Sequence, residues 1–235
     1  MKEEIPSQNV AEYLHIIADP PAKLFRGVTR KSYLLIPSVG RDFPGEFIDL
    51  TPLEKRHLEK FRAETIFLHD FAPLTDWDLL MIAQHHGLQT RLLDWTENPL
   101  VALYFACEKD YDDDGKVYRL GDMESLDTIK SPDPFNLTKD YMIKAPHISP
   151  RISAQAAYFT ISKDPTISLE LSLDFHVHGA DYHKIIIPHN KKIDILNELN
   201  RYGVNAATLF PGLDGVGKKL NFEFYRYKLI LRKTK

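Results

Sequence analysis

The chain has a single cysteine, Cys107, among its 235 residues. One thiol excludes a disulfide framework and a zinc site built on paired thiolates, and this scarcity favours a cytoplasmic location. Long apolar runs are also missing. The longest, at residues 100–107, is far shorter than the ~20 residues that cross a bilayer, so we expect no membrane segment. The acidic start, MKEEIPSQ, lacks the apolar centre of a secretory signal.

Neither sign of charge dominates the sequence. There are 30 Lys and Arg against 33 Asp and Glu, a formal net charge of −3, so only a local basic patch would attract nucleic acid. Hydrophobic residues at 43% and charged residues at 27% are typical of a globular protein. Without a repeat or an obvious linker, we expect one domain over residues 1–235, with an N-terminal helix in 1–20 and a core in 21–232.

Hydrophobic periodicity predicts helices early in the chain and strands mostly late. The predicted helices are 10–17, 52–71, 76–86, 100–109 and 191–202. The predicted strands are 23–27, 33–37, 90–94, 116–120, 156–161, 166–173, 184–188 and 222–232, and 122–150 is expected to be loop. Because no βαβα rhythm appears, the pattern favours an α+β fold with a mainly antiparallel sheet and an N-terminal helical part.

The most informative segment is QHHGLQTRLLDWT at 84–96. It gathers five polar candidates around a helix end, a short strand and the start of a buried helix: Gln84, His85, Arg91, Asp94 and Thr96. Free backbone N–H groups at that helix start would form an anion site with the Trp95 ring beside it, which indicates a pocket for a phosphate-bearing ligand. Alternatively, these side chains satisfy one another as a buried polar network with Trp95 in the core.

Arg26 is the second candidate, within the apolar run Phe25-Arg26-Gly27. An arginine in an apolar strand is costly unless paired, and its guanidinium suits a bidentate grip on phosphate or carboxylate. Gly27 would let a ligand or another backbone approach closely. The alternative is that Arg26 pairs with a structural aspartate, for which Asp94 is the obvious partner.

Two weaker features complete the set. Arg151 and Gln155 precede a predicted strand and would either enter the same pocket or tie down loops. His85 and His86 are adjacent, so on a helix they diverge by about 100° and no metal site is expected.

These motifs together resemble the FRG domain family, named for Phe25-Arg26-Gly27. The resemblance rests on FRG at 25–27, PS at 37–38 with Arg41, QHHG at 84–87, TRLLDWT at 90–96, NP at 98–99, ALYFA at 102–106, Arg151 with Gln155 and Phe159, LFP at 209–211 and LDG at 213–215. It covers roughly residues 20–220, so the chain is identified as a single FRG-type domain.

FRG domains are similar to the ADP-ribosyltransferase superfamily, which implies a split antiparallel sheet with helices. In that superfamily an early strand carries an Arg or His that grips NAD, an aromatic-Ser/Thr element lines the nicotinamide pocket, and a glutamate polarises the nicotinamide ribose. The resemblance gives Arg26 the first role and Trp95-Thr96 the second. The implied NAD-binding set is Arg26, Gly27, Arg91, Trp95, Thr96, Arg151 and Gln155, and the implied catalytic set is Arg26, His85, Asp94 and Thr96.

The resemblance does not supply a residue for the third role, that of the glutamate. Ala206 stands where the family often has an acidic residue, and Gly212 replaces a frequent Asp. If that acid is the catalytic one, the protein binds without turnover unless another carboxylate substitutes. Asp94 and Asp214 are the substitutes that the sequence offers.

The resemblance implies an NAD-using transferase that modifies nucleic acid or protein, acting as a toxin or an anti-phage effector of a microbe. NAD would be a substrate, and the expected partners are this nucleotide and a macromolecular acceptor, with no membrane. Two alternatives stay open: a noncatalytic nucleotide or nucleic-acid binding module using the same pocket, or a hydrolase with His85 as general base and Asp94 as its orienting partner. All three require Arg26, His85, Asp94 and Thr96 to converge.

Overall fold

The computed structural model describes residues 4–18, 22–65, 75–144, 157–175 and 182–233. Its strands are β1 (Glu4–Pro6), β2 (Leu24–Val28), β3 (Leu92–Thr96), β4 (Gly115–Leu120), β5 (Tyr141–Lys144), β6 (Ala157–Ile161) and β7 (Tyr182–Ile187). Its α-helices are α1 (Val10–Ile17), α2 (Thr51–Thr65), α3 (Asp76–His85), α4 (Pro99–Cys107), α5 (Leu169–Phe175), α6 (Lys192–Arg201), α7 (Ala206–Leu209) and α8 (Leu213–Lys233). Short 3-10 turns lie at Ser38–Gly40 and His189–Lys191.

The seven described strands form one sheet in the order β1-β7-β4-β2-β3-β6-β5. β1 runs parallel to β7, and the other neighbouring pairs among these strands are antiparallel. This confirms the α+β class and the mainly antiparallel sheet. The N-terminal part is not purely helical as expected, since β1 joins the sheet edge before α1 begins. Within the described residues, no helix combines the length and the apolar character needed to cross a membrane.

The sheet is weakest between β2 and β3. These two strands, which are fully described, pair at one position, Phe25 with Thr96. Each pairs with its other neighbour over five positions: β2 with β4, and β3 with β6. The residues of β2 after Phe25 therefore leave the ladder with β3, and this separation positions the site described below.

Helix α4 packs tightly against β2 beside this separation. A Cβ atom added at Gly27 would lie 1.9 Å from the Ala102 carbonyl oxygen and 2.6 Å from the Ala106 amide nitrogen. Both are backbone atoms that cannot move aside cheaply, so only glycine allows this approach. Asn98 caps α4 through its side chain, and Pro99 occupies its first turn.

Three apolar clusters cover the sheet. One surrounds α4 and includes Phe25 and Val117, and a second lies under α2 and α3 and includes Leu92. The third contains Leu24 and Leu93, which are the chain neighbours of Phe25 and Leu92. Because successive strand residues point to opposite faces, this division shows that both faces of the central strands are buried.

Two predicted strands are helices instead. Residues 166–173 alternate in polarity, yet the segment enters α5, with Leu169 fully buried and Leu171 54% exposed, so the alternation does not mark one buried face. Residues 222–232 belong to the 21-residue helix α8. The alternation of polar and apolar residues that predicted a strand there involves only some of the apolar residues of the segment. The full set of apolar residues is spaced at helical intervals.

Other boundaries also differ from the predictions. Residues 33–37 form no strand but lead irregularly into the Ser38–Gly40 turn. The segment 122–150, expected to be loop, contains β5, and its residues 145–150 lie outside the described part. The predicted helix 52–71 is α2, with residues 66–71 also outside the description.

Candidate functional site

Arg26 bridges the two strands where they separate. Its Nη1 donates to the Asp94 carbonyl oxygen at 2.5 Å and lies 3.6 Å from Asp94 Oδ2. The arginine side chain is 15% exposed and the aspartate side chain 57%. The predicted convergence of Arg26, His85, Asp94 and Thr96 is therefore confirmed for Arg26 and Asp94, and their contact includes the backbone as well as the carboxylate.

Asp94 is held in place by a chain of hydrogen bonds from α3 and the loop before β3. Gln84 Nε2 donates to Asp94 Oδ2 at 3.1 Å, and Thr90 Oγ1 donates to Gln84 Oε1 at 2.6 Å. The Thr90 backbone N–H in turn donates to Ser38 Oγ at 3.1 Å. The network that the alternative interpretation predicted is therefore present only in part: it joins Gln84 to Asp94, whose side chain is 57% exposed, and it holds the carboxylate beside Arg26.

One donor of Arg26 is left without a protein partner. Its Nε is buried and has no hydrogen-bond partner among the described residues. Burial lowers the pKa of Arg26, the positive charge of Arg41 acts in the same direction, and Asp94 opposes both. A buried donor without an acceptor costs about 1–3 kcal/mol, so a bound acceptor would recover that energy.

A cleft of about 580 Å³ adjoins Arg26, within the range of small-molecule sites. Three cationic residues and one acidic residue line it, namely Arg26, Arg41, Lys109 and Glu108. Aromatic and hydroxyl-bearing side chains complete the wall, including Tyr33, Phe105, Thr29 and Ser32. The excess of positive charge, beside flat rings, suits an anionic ligand that carries aromatic groups.

The structure corrects the placement of Trp95. Its side chain is 2% exposed, packs in the cluster of Leu24 and Leu93, and donates from Nε1 to Thr160 Oγ1 at 3.0 Å. The ring therefore offers no face to a ligand and belongs to the core.

The start of α4 is not the anion site that the sequence suggested. Thr96 is 5% exposed, and its Oγ1 accepts from the Asn98 backbone N–H at 3.0 Å. The Asn98 side chain then accepts from the Leu100 N–H at 3.0 Å, while Pro99 has no N–H to offer. It is the other end of α4, at Glu108 and Lys109, that lines the cleft.

Arg91 is a core residue rather than a ligand-binding one. Its side chain is 1% exposed and donates from Nε and Nη2 to the Glu54 carboxylate, at 2.5 to 3.1 Å. Nη2 also donates to Thr51 Oγ1 at 3.0 Å, and the guanidinium lies 4.9 Å from the Phe135 ring centroid. The prediction that Arg91 binds NAD is corrected, because its guanidinium is committed to α2.

The remaining predicted residues are placed as follows. His85 ends α3 and makes an edge-to-face ring contact with His86, with centroids 5.1 Å apart. Gly27 serves the packing of α4. Arg151 and Gln155 lie outside the described residues. Within the described ranges, no group of three His, Cys, Asp or Glu residues could hold a metal ion.

Sequence reasoning missed several cleft residues. Arg41 stood in the motif that carries the resemblance but was given no role. Glu108 and Lys109 follow a buried helix, and no sequence signal distinguishes them from surface charges. Tyr33 was assigned to a strand, although its side chain is 45% exposed at the cleft. The helix-end and loop residues became neighbours only through the packing of α4 on β2.

The carboxylates proposed to replace the missing acid are in different places. Ala206 is 4% exposed at the first position of α7, and Gly212 has φ +127°, a conformation that favours glycine. Asp214 lines a separate groove with Phe210 and Lys218. Asp94 contacts Arg26 directly, as described above.

Comparison with known proteins adds the family. Neither curated proteins nor solved structures give a match. A protein-family match to the FRG domain covers residues 22–115, which include Arg26, Arg41, Gln84, Asp94 and Glu108. The wider resemblance over residues 116–220 stays a prediction. The resemblance to the FRG domain family is therefore confirmed over residues 22–115, the segment that contains the residues lining the cleft.

Proposed function

We propose that the cleft beside Arg26 binds the pyrophosphate of NAD, and that the protein is an ADP-ribosyltransferase-like enzyme modifying nucleic acid or protein. The observation that carries this proposal is the buried, unpaired Nε of Arg26 at the wall of a cleft also lined by Arg41 and Lys109. A pyrophosphate offers several anionic oxygens, so it can accept from Arg26 while the neighbouring cations neutralise its charge.

Asp94 positions Arg26 in this proposal. The Asp94 carbonyl oxygen accepts a hydrogen bond from Nη1 of the guanidinium, and the carboxylate lies close to the same nitrogen. The Gln84 amide donates a hydrogen bond to that carboxylate. The guanidinium is thus fixed before a ligand arrives, which reduces the entropy lost on binding. The separation of β2 from β3 after one pair supports the split sheet that the family resemblance implies.

Glu108 is the carboxylate on the cleft wall, and we assign it the stabilising role in the chemical step. In ADP-ribosyl transfer, an oxygen or nitrogen of the acceptor forms a bond to C1′ of the nicotinamide ribose while the N-glycosidic bond breaks. Nicotinamide leaves with the bonding electron pair and the acceptor loses a proton. Positive charge develops on the ribose, so a nearby carboxylate lowers the barrier.

Thermal denaturation with NAD, ADP-ribose and inorganic pyrophosphate tests the binding step. NAD at one hundred times its Kd is expected to stabilise the wild-type protein by about 2.7 kcal/mol. Arg26→Met should abolish this shift, whereas Arg201→Met, which removes the same charge from an exposed position on α6, should retain it. The binding proposal is overturned if NAD gives no shift in the wild type, or if the shift survives in Arg26→Met.

Nicotinamide release in the presence of nucleic-acid and protein acceptors tests the transfer step. Glu108→Gln is expected to keep the NAD-induced shift but to lose release. A noncatalytic nucleotide-binding module is the second candidate, because Ala206 and Gly212 replace acidic residues frequent in the family. That candidate predicts a full NAD shift with no release from the wild type under any acceptor.

A further inference from the structure

Helix α8 buries one of its faces against the rest of the chain. Phe222 packs on the cluster around α4, and the Tyr225 ring stacks on Tyr111 with centroids 5.1 Å apart. Gly215 approaches α7 so closely that an added Cβ would lie 1.9 Å from the Phe210 carbonyl oxygen. The helix is therefore anchored between Gly215 and Tyr225.

The other face of α8 is apolar and exposed. Six residues form a stripe with spacings of three and four residues: Leu213, Val216, Leu220, Phe224, Tyr227 and Leu231. Each is between 46% and 91% exposed. At 100° per residue they fall within an arc of about 80°, centred about 160° away from Phe222. We call these six residues the outer stripe.

The outer stripe has nearly the area that one partner contributes to a standard interface. Taking large apolar side chains at ~200 Å², its exposed surface is roughly 770 Å². The largest apolar patch on a typical monomer is about 300–600 Å², whereas each partner in a standard interface contributes about 800 Å². A helix with apolar residues on two opposite faces is expected to be covered on both.

We propose that the outer stripe pairs with the same stripe of a second copy, in an antiparallel, two-fold symmetric helix pair. Spacings of three and four residues are those of knobs-into-holes packing between helices. The stripe is also nearly symmetric about residue 222, with Leu220 and Phe224 two residues to either side and Leu213 and Leu231 nine. Antiparallel pairing thus places apolar residues opposite apolar residues, as a two-fold interface requires.

The helix dipoles favour the same arrangement, because two antiparallel helices place opposite dipole ends beside each other.

Analytical ultracentrifugation across a hundredfold range of concentration tests the pairing. The wild-type chain, of 27.1 kDa, is expected to sediment as a dimer at high concentration. Leu220→Gln combined with Phe224→Gln should remain monomeric with an unchanged thermal stability. The control is Leu53→Gln with Ile129→Gln, two exposed apolar residues elsewhere, which should leave the dimer intact. A wild type that stays monomeric overturns the proposal, including one that binds vesicles containing phosphatidylserine instead.

Cysteine cross-linking tests the direction of the helices, and the buried thiol of Cys107 does not interfere. Antiparallel pairing predicts that a Leu213→Cys chain forms a disulfide with a Leu231→Cys chain in a mixture, while neither cross-links to itself. Within one helix these positions are about 27 Å apart, so the two orientations are clearly distinguished. Cross-linking of Leu213→Cys to itself would show parallel pairing and overturn the proposal as stated.

Discussion

Removing the positive charge of Arg91 is expected to destabilise the protein strongly, and the structure sets the magnitude. Arg91 and Glu54 are 1% and 2% exposed, and the guanidinium donates from two nitrogens to the carboxylate. Arg91→Met leaves that carboxylate buried without its counterion. Breaking such a pair from one side costs about 3–5 kcal/mol, so we expect a loss of about 4 kcal/mol.

The pH dependence of this loss identifies its cause. Burial raises the pKa of Glu54, and Arg91 opposes that rise. Without Arg91 the pKa of the folded-state carboxyl rises further above its unfolded value, so the folded variant binds a proton more tightly than the unfolded chain. Its stability therefore increases as the pH falls from 8 to 5, and the deficit relative to the wild type shrinks.

Urea denaturation followed by tryptophan fluorescence measures both effects, since Trp77 and Trp95 are buried. The control is Arg91→Met combined with Glu54→Leu, which removes both charges and should recover stability to within about 1 kcal/mol of the wild type. The reasoning is refuted if Arg91→Met costs less than about 1 kcal/mol, or if the double variant is as unstable as the single one.

Three further predictions follow from single contacts. Gly27→Ala should cost about 3 kcal/mol in thermal denaturation, because the added Cβ would meet the Ala102 carbonyl oxygen at 1.9 Å; a loss under about 1 kcal/mol would contradict this. Trp95→Phe should lose about 2 kcal/mol with its hydrogen bond to Thr160, yet keep the NAD-induced shift, whose loss would place the ring in the cleft. Burial lowers the pKa of Lys116 to about 8, so raising the pH from 7 to 10 should stabilise the wild type by about 2 kcal/mol relative to Lys116→Met; parallel pH profiles would disprove it.

The structure separates two arginines that the sequence presents alike. Arg26 and Arg91 both stand beside apolar residues, and both suit a phosphate or a carboxylate. Glu54, the partner of Arg91, is 37 residues away in sequence, and no local pattern connects them. The partner of Arg26 was predicted because Asp94 falls in the one segment where several polar residues cluster. Hydrophobic periodicity thus cannot predict a pair between a helix and a loop that are distant in sequence.

The burial of Trp95 could have been predicted from the sequence. In Leu93-Asp94-Trp95 a strand alternates its side chains, so Trp95 shares a face with Leu93 and opposes that of Asp94. Extending β3 to Thr96 would have placed the ring in the core. The predicted strand, 90–94, instead ended at Asp94, so the alternation was not extended to Trp95.

Helix boundaries were predicted well where chemistry fixes them locally. Thr75 caps α3 with Asp78 in a capping box, and Asn98 with Pro99 starts α4. In α8 the apolar spacing of three and four residues was present in the sequence, but residues on both faces are apolar. A helix with two apolar faces also contains apolar residues two positions apart, which is the spacing of a strand. The strand prediction for 222–232 rested on those residues.

Arg26 joins the fold to the proposed chemistry because one of its donors, Nη1, bonds to β3, while another, Nε, has no partner among the described residues. After Phe25 the backbone of β2 no longer pairs with β3, which would leave the Asp94 carbonyl oxygen without a strand partner, and Arg26 Nη1 supplies the donor. The planar guanidinium holds its Nε in a fixed direction relative to that contact, whereas a lysine has a single ammonium group and cannot serve two separated acceptors with the same geometry. Arg26 also lines the cleft, and its buried Nε has no partner among the described residues. In the proposed function, the separation of β2 and β3 thus places the anion-binding arginine on the wall of the cleft.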